Sequence, residues 1–348
     1  MSLSFELPPR LNVVRESALI YQVAHPILSN PNSYAEGPSG DYADAGNILG
    51  AQLDSRTLEE AQQYWQQQLK KLNAEFKITG PVQEADDRLL LGNERYNLHV
   101  YKASDSFLYF DRTLVSPTDP VFSEKLISAE AALQKTQLKL RNLGLFHEYL
   151  EFRGIGYTGV SVDDSTPDNP HAPSEEYKTE IKVHYRFKLN GLPVFGPGAK
   201  IVASYAGEEL SQMVYFWRTP ALVNDGSAVS APREVPIISA QAALDAFSQD
   251  PRFVTLKKGN AKVRFHELQL GYYAPSPQVV QTALYPVYQV KGTVETWQMG
   301  ENSFADMKDQ LSGDVFRSHF TLHILAAKST TVQENGLYKA ASNAVANF

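Results

Sequence analysis

From Ile181 to Leu189 the chain alternates without a break. Ile181, Val183, Tyr185, Phe187 and Leu189 are apolar, and Lys182, His184, Arg186 and Lys188 between them are basic. A period of two belongs to an antiparallel strand with one buried and one wet face, because successive side chains of a strand leave on opposite sides. Asn190-Gly191 follows, a pair that tolerates the positive φ angles of a two-residue hairpin turn. The strand is therefore predicted to fold back through Leu192-Pro193-Val194-Phe195, with Gly196-Pro197-Gly198 as the next break. Ile201, Ala203 and Tyr205 then lead to an Ala206-Gly207 turn, and Met213, Tyr215 and Trp217 share one face of another strand. Such a series of hairpins makes an antiparallel sheet, and its apolar face needs a cover.

Three helix signals provide one. Thr57-Leu58-Glu59-Glu60 has the capping-box pattern and opens a run to about Leu72, with Leu58, Ala61, Trp65, Leu69 and Leu72 at helical spacing. A second helix is expected from Ser128 to Leu143, with Gly144 placed for a left-handed C-terminal cap. A third runs from Ser239 to the residues before Asp250-Pro251. The second and third openings, Ile127-Ser128-Ala129-Glu130-Ala131-Ala132-Leu133 and Ile238-Ser239-Ala240-Gln241-Ala242-Ala243-Leu244, differ at one position, which suggests an internal repeat.

Other strand candidates flank these helices. Arg95–Tyr101 and Ser106–Asp111 form a predicted hairpin, and Val263–Leu270, Leu284–Thr296 and Val315–Ala326 are three further strands. Asn30–Asn47 and Met299–Asp314 read as irregular, Val115–Pro120 and Pro220–Pro236 as linkers, and Asp163–Glu176 as an acidic, proline-bearing hairpin excursion. The expected fold class is α+β, built from tandem units of one helix packed on an antiparallel sheet. The expected division is an N-terminal unit over 1–119, a second over 120–232, a third over 233–328 and a tail over 329–348.

The segment His184-Tyr185-Arg186-Phe187-Lys188-Leu189-Asn190-Gly191-Leu192-Pro193-Val194-Phe195-Gly196 resembles the central hairpin of PepSY-like domains. The Ser-x-x-x-Ala helix opening before the sheet is similar to that family as well. So is Leu270-Gly271-Tyr272-Tyr273 followed by Leu284-Tyr285-Pro286-Val287-Tyr288. Similar domains occur in propeptides of thermolysin-type proteases and in regulators of bacterial two-component systems. The resemblance, over residues 90 to 296, implies a cystatin-like helix on a sheet, a non-catalytic role through protein contacts, and an exported or cell-surface location. It carries over no catalytic residue. Two features depart from the family pattern: no protease sequence follows, and Met1-Ser2-Leu3-Ser4 has neither the basic nor the apolar region of a signal peptide. The start fits a cytosolic chain or a leader in place of an export signal, and both readings stay open.

Charge and composition narrow the function. The net charge of −7, with no Lys/Arg block, argues against a nucleic-acid partner. The absence of cysteine removes disulfides, thiol nucleophiles and thiolate metal sites. No run approaches the roughly 18 apolar residues of a membrane span.

Candidate chemistry is sparse, and neither a cofactor nor a metal is expected. His319 and His323 sit four apart, but in a strand that spacing is about 13 Å, beyond the reach of one metal ion. Asp163, Asp164, Asp168 and Asn169 lack the spacing and glycine of a calcium loop. Gly154-Ile155-Gly156 and Gly196-Pro197-Gly198 complete no phosphate-binding pattern, and Ser161 and Ser204 have no nucleophile-elbow context. The aromatic stripe of Tyr185, Phe187, Tyr205, Tyr215 and Trp217 is either core beneath a helix or, where a curved sheet opens, the floor of a groove. On the second reading Tyr185, Tyr215, Trp217 and Arg218 are the binding residues, with Trp217 and Arg218 at the rim.

The leading expectation is a non-catalytic binding or regulatory protein acting through protein or peptide contacts. The alternative is a small-molecule enzyme or carrier with an apolar pocket over the curved sheet. In its enzyme form His184, His266 or Glu267 would be the acid–base groups.

Overall fold

The computed structural model describes residues 15–22, 58–104, 106–114, 119, 121–163, 174–220, 232–248, 261–279, 281, 283–297 and 315–328. In chain order the elements begin with β1 (Ser17–Gln22), α1 (Leu58–Phe76), β2 (Val82–Glu84), β3 (Arg88–Gly92), β4 (Tyr96–Tyr101) and β5 (Phe107–Asp111). The short helix α2 (Val121–Glu124), the helix α3 (Ala129–Asn142) and the strands β6 (Leu150–Asp163) and β7 (Ser174–Leu189) follow. Then come β8 (Leu192–Phe195), β9 (Lys200–Ala206), β10 (Glu209–Phe216), β11 (Arg233–Pro236) and α4 (Ala240–Ser248). The last strands are β12 (Ala261–Tyr273), β13 (Ala283–Leu284), β14 (Pro286–Trp297) and β15 (Val315–Leu325). These elements belong to two compact units, of which the larger holds α1 to β10 together with 274–281.

In the larger unit the strands pair in the order β6-β7-β9-β10-β5-β4-β3-β2, each pair antiparallel. The hairpin after β7 closes where the sequence places it. Asn190 has φ 49° and Gly191 φ 73°, and β8 pairs back on the end of β7 through Leu189 and Leu192. The alternation of β7 is realised in burial: Ile181, Val183, Tyr185, Phe187 and Leu189 are buried, and the basic residues between them are half-exposed.

Two helices cover this buried face. From α1 come Leu69, Leu72 and Phe76; from α3, Ala132, Thr136 and Leu140. The Phe76 ring stacks on Tyr109 at 4.3 Å, and the Thr136 hydroxyl lies 3.0 Å from that of Tyr205. An ion pair between Lys139 and Glu75, at 2.7 Å, ties the two helices together. Burying each large apolar side chain contributes about 1.5–3 kcal/mol, so this interleaving of rings and aliphatic chains dominates over the surface ion pair.

The ends of α3 follow from its sequence. Ser128 accepts the Ala131 N–H on its hydroxyl, satisfying one of the free donors of the first turn. At the other end Gly144, with φ 67°, donates to the Arg141 carbonyl, and Leu145 donates to that of Leu140. That bonding is a Schellman closure, which needs a residue free of Cβ strain at the left-handed position. Helix α4 opens in the same way, its Ser239 hydroxyl accepting the Ala242 N–H at 3.1 Å.

The smaller unit contains the sheet β12-β14-β15 and the three strands β11-β1-β13, all antiparallel. The first buries Val263, Phe265, Leu268, Leu270, Tyr288, Val290, Phe320 and Leu322, and α4 contributes Ala243, Leu244 and Phe247 to the unit's core. Ile20, Val235, Ala283 and Ala327 make a second, smaller cluster.

The expected α+β class is corrected by this architecture. Strands hold 53% and helices 20% of the described structure, so the chain is mainly β and not a series of balanced helix–sheet units. The physical reason is strand length: β6, β7 and β12 run for 14, 16 and 13 residues, and hairpins that long outweigh the helices over them. Strand was also missed outright at β1, β2, β3, β6 and β11, the last lying inside the segment expected to be a linker. Residues of the expected 1–119 and 120–232 units share one sheet, through the pairing of β5 with β10. Among the described residues no helix is long and apolar enough to cross a membrane. The expected irregular segments 30–47 and 299–314, the acidic residues after Asp163 and the tail 329–348 lie outside the described residues.

Candidate functional site

The aromatic stripe divides into a filled end and an open one. At the filled end the Trp217 indole lies on the Phe187 ring at 3.9 Å, with His147 and Tyr149 around it, and Trp217 is 1% exposed. The His147 ring nitrogens and Trp217 Nε1 are buried there without hydrogen-bond partners, and burial holds the His147 pKa below its usual value. Tyr185 is buried too, and burial raises its phenol.

Arg218, expected at a rim, is fully buried. Its guanidinium donates to the carbonyls of Pro275 at 2.9 Å, Ser276 at 2.8 Å and Val279 at 2.6 Å. A planar fork with five donors is suited to gathering several carbonyls in this way. Beside it Gly198 leaves no room for a side chain, since a Cβ there would sit 1.9 Å from the Pro275 carbonyl oxygen. Ser104 adds a hydrogen bond to Pro277. Arg218 thus fastens the segment 275–279.

Tyr215 faces the open end. It stacks with Phe107 at 5.3 Å, and both rings line a cavity of about 120 Å³. Helix α1 sends Tyr64, Gln68, Lys71 and Leu72 to this cavity from one face, at the spacing of successive helical turns. Leu143 and Leu145, fixed by the closure at Gly144, form another wall, with Val100 from β4 and Thr219 after β10.

A third feature lies at the sheet margin. Among the described strands β6 pairs with β7 alone, so its other edge presents unpaired backbone groups. Phe152 stands opposite Tyr185, Ile155 opposite Val183 and Tyr157 opposite Ile181. Directly opposed residues share a face, so these three continue the apolar face of the core. A bulge between Phe152 and Gly154 brings residues five apart onto that one side. At the margin the face is partly open: Phe152, edge-on to Tyr185, is 45% exposed, and Tyr157, with the Lys178 amino group 4.6 Å over its ring, is 47% exposed. Between this bulge and a second at Thr158/Gly159, residues 154–158 keep a regular ladder with β7. Gly159 tolerates no side chain, because a Cβ would meet the Tyr177 carbonyl oxygen at 2.4 Å.

Two of the three groups named for acid–base chemistry are bonded to strand neighbours. Glu267 accepts from Lys291 at 2.8 Å, and His266 is bonded to Thr293 at 2.9 Å across the β12–β14 pair. His184 lies in the larger unit, its pKa lowered by burial and by Lys182 and Lys200. His319 and His323 both lie on β15, His319 exposed and His323 bonded to Gln289.

Sequence reasoning missed the β6 edge because Gly154, Gly156 and Gly159 interrupt its alternation. The signal that could have found it is the expected hairpin excursion at Asp163–Glu176, which requires a strand on both sides.

No family model matches the chain, and no curated protein matches it. Among solved structures, an uncharacterized protein from Eubacterium rectale ATCC 33656 is similar over 79% of this chain and 81% of its own, at 11% identity and a TM-score of 0.37.

Proposed function

We propose that this chain is a non-catalytic binding or regulatory protein that takes an extended peptide segment of a partner as an added strand on β6. The observation that carries the reading is the edge of β6 on which no described strand pairs, with the partly exposed apolar face of Phe152, Ile155 and Tyr157 beside it. Strand addition draws affinity from main-chain hydrogen bonds and specificity from alternate side chains, and this edge supplies both halves. Its regular stretch, 154–158, sets the length of the added strand at about five residues. The resemblance of the β7–β8 hairpin to PepSY-like domains, which act through protein contacts, agrees with the same role.

The test is selection of short random peptides on the protein, followed by affinity measurements with the variants Phe152→Lys and Tyr157→Lys. Both side chains are exposed, so the variants keep the fold. Selected peptides are expected to alternate apolar and polar residues and to bind each variant about tenfold more weakly. Peptides that bind the variants as well as the parent protein would refute the reading.

A further inference from the structure

The cavity over Phe107 and Tyr215 is separate from the β6 edge, and its lining selects a ligand. Its floor and walls are apolar: Leu72, Val100, Phe107, Leu143 and Tyr215 are each 5% exposed or less. Its other liners are Tyr64, Gln68 and Thr219, which offer hydroxyl and amide groups, the half-buried Leu145, and Lys71. Among the described residues, Lys71 is the single charged residue of the lining, and no carboxylate accompanies it. Its amino group lies beside the Gly144 turn, where a Cβ on Gly144 would be 3.5 Å away. The volume of about 120 Å³ is of the order of cavities that admit one benzene ring.

We infer that this cavity is a binding site for a small monocarboxylic acid with an aromatic or branched apolar tail. The tail fits against the paired rings of Phe107 and Tyr215, and the carboxylate meets Lys71 with help from Gln68. One lysine without further cations suits a monoanion better than a phosphate, for which several donors and a second charge are usual. The absence of acidic residues among the described liners disfavours a cationic ligand.

Phenylacetate, benzylamine and benzyl alcohol are the probes, compared by titration calorimetry on the whole chain. Phenylacetate is expected to bind saturably, with a dissociation constant of about 0.1–1 mM. Lys71→Met is expected to weaken it about tenfold. Leu145→Trp, at a half-exposed position, is expected to abolish binding by filling the cavity, with a retained thermal transition showing that the variant folds. Lack of saturation by phenylacetate overturns the inference. So does equal affinity for benzylamine or benzyl alcohol, or full binding in folded Leu145→Trp. Peptide binding at β6 is measured separately, so failure at one site leaves the other standing.

Discussion

The indole of Trp217 lies flat on the ring of Phe187, with centroids 3.9 Å apart and planes 5° from parallel. The two residues come from β10's extension and from β7, and their contact fills the end of the sheet that the sequence leaves open as a possible groove. Phe187→Ala and Trp217→Ala should each destabilise the chain by about 3–5 kcal/mol, because neighbours fixed in the sheet cannot collapse into the space. Urea unfolding measures this, and a loss well below that range at both positions would mean that the face is not packed.

Arg218 gives the second prediction. Replacing it by Met leaves the carbonyls of Pro275, Ser276 and Val279 without their shared donor, at a cost of about 3 kcal/mol or more. Lysine keeps the charge but not the fork, so Arg218→Lys should recover part of the loss. Limited proteolysis within 275–279 should accelerate in both variants, more so in Met. An unaltered cleavage rate would remove Arg218 from the role given to it.

How much of this was legible in the sequence depends on how local each feature is. The β7 hairpin, the Ser128 and Ser239 caps and the Gly144 closure are determined by residues within a few positions of one another, and all can be read directly. Arg218 cannot, because its partners lie more than fifty residues along the chain. The cavity draws on one face of α1, the turn after α3 and three strands, and periodicity on each shows only that a face is apolar. The helix openings show the limit of local identity: Ala132 and Ala243 are both wholly buried, yet Leu244 is buried while its counterpart Leu133 is half-exposed. The same words open both helices, and their surroundings decide what each letter does.

Protonation of His323 should be visible in stability. Its Nε2 accepts from the Gln289 amide at 2.8 Å, which requires the neutral ring, and burial lowers its pKa from 6.5 to about 4. The unfolded chain therefore binds the proton more readily between these values. Stability is full above pH 6.5 and falls as the pH drops toward 4, by about 3 kcal/mol in total. Below 4 this contribution is flat. His323→Leu should remove the slope over this window in denaturation curves taken at several pH values, and an unchanged slope would contradict the assignment.

The turn at Asn190 and Gly191 holds both residues at positive φ. Alanine at both positions must adopt the same left-handed conformation, at about 1–2 kcal/mol each. A double variant with an unchanged melting temperature would show that the turn does not constrain the hairpin.

The most direct test of strand addition on β6 is backbone amide hydrogen exchange with and without a selected peptide. Strand addition should slow exchange at the outward-pointing amides within 154–158, the regular stretch between the two bulges, with little change on β2 at the opposite margin. Protection that appears elsewhere while 154–158 exchange as in the free protein would contradict it.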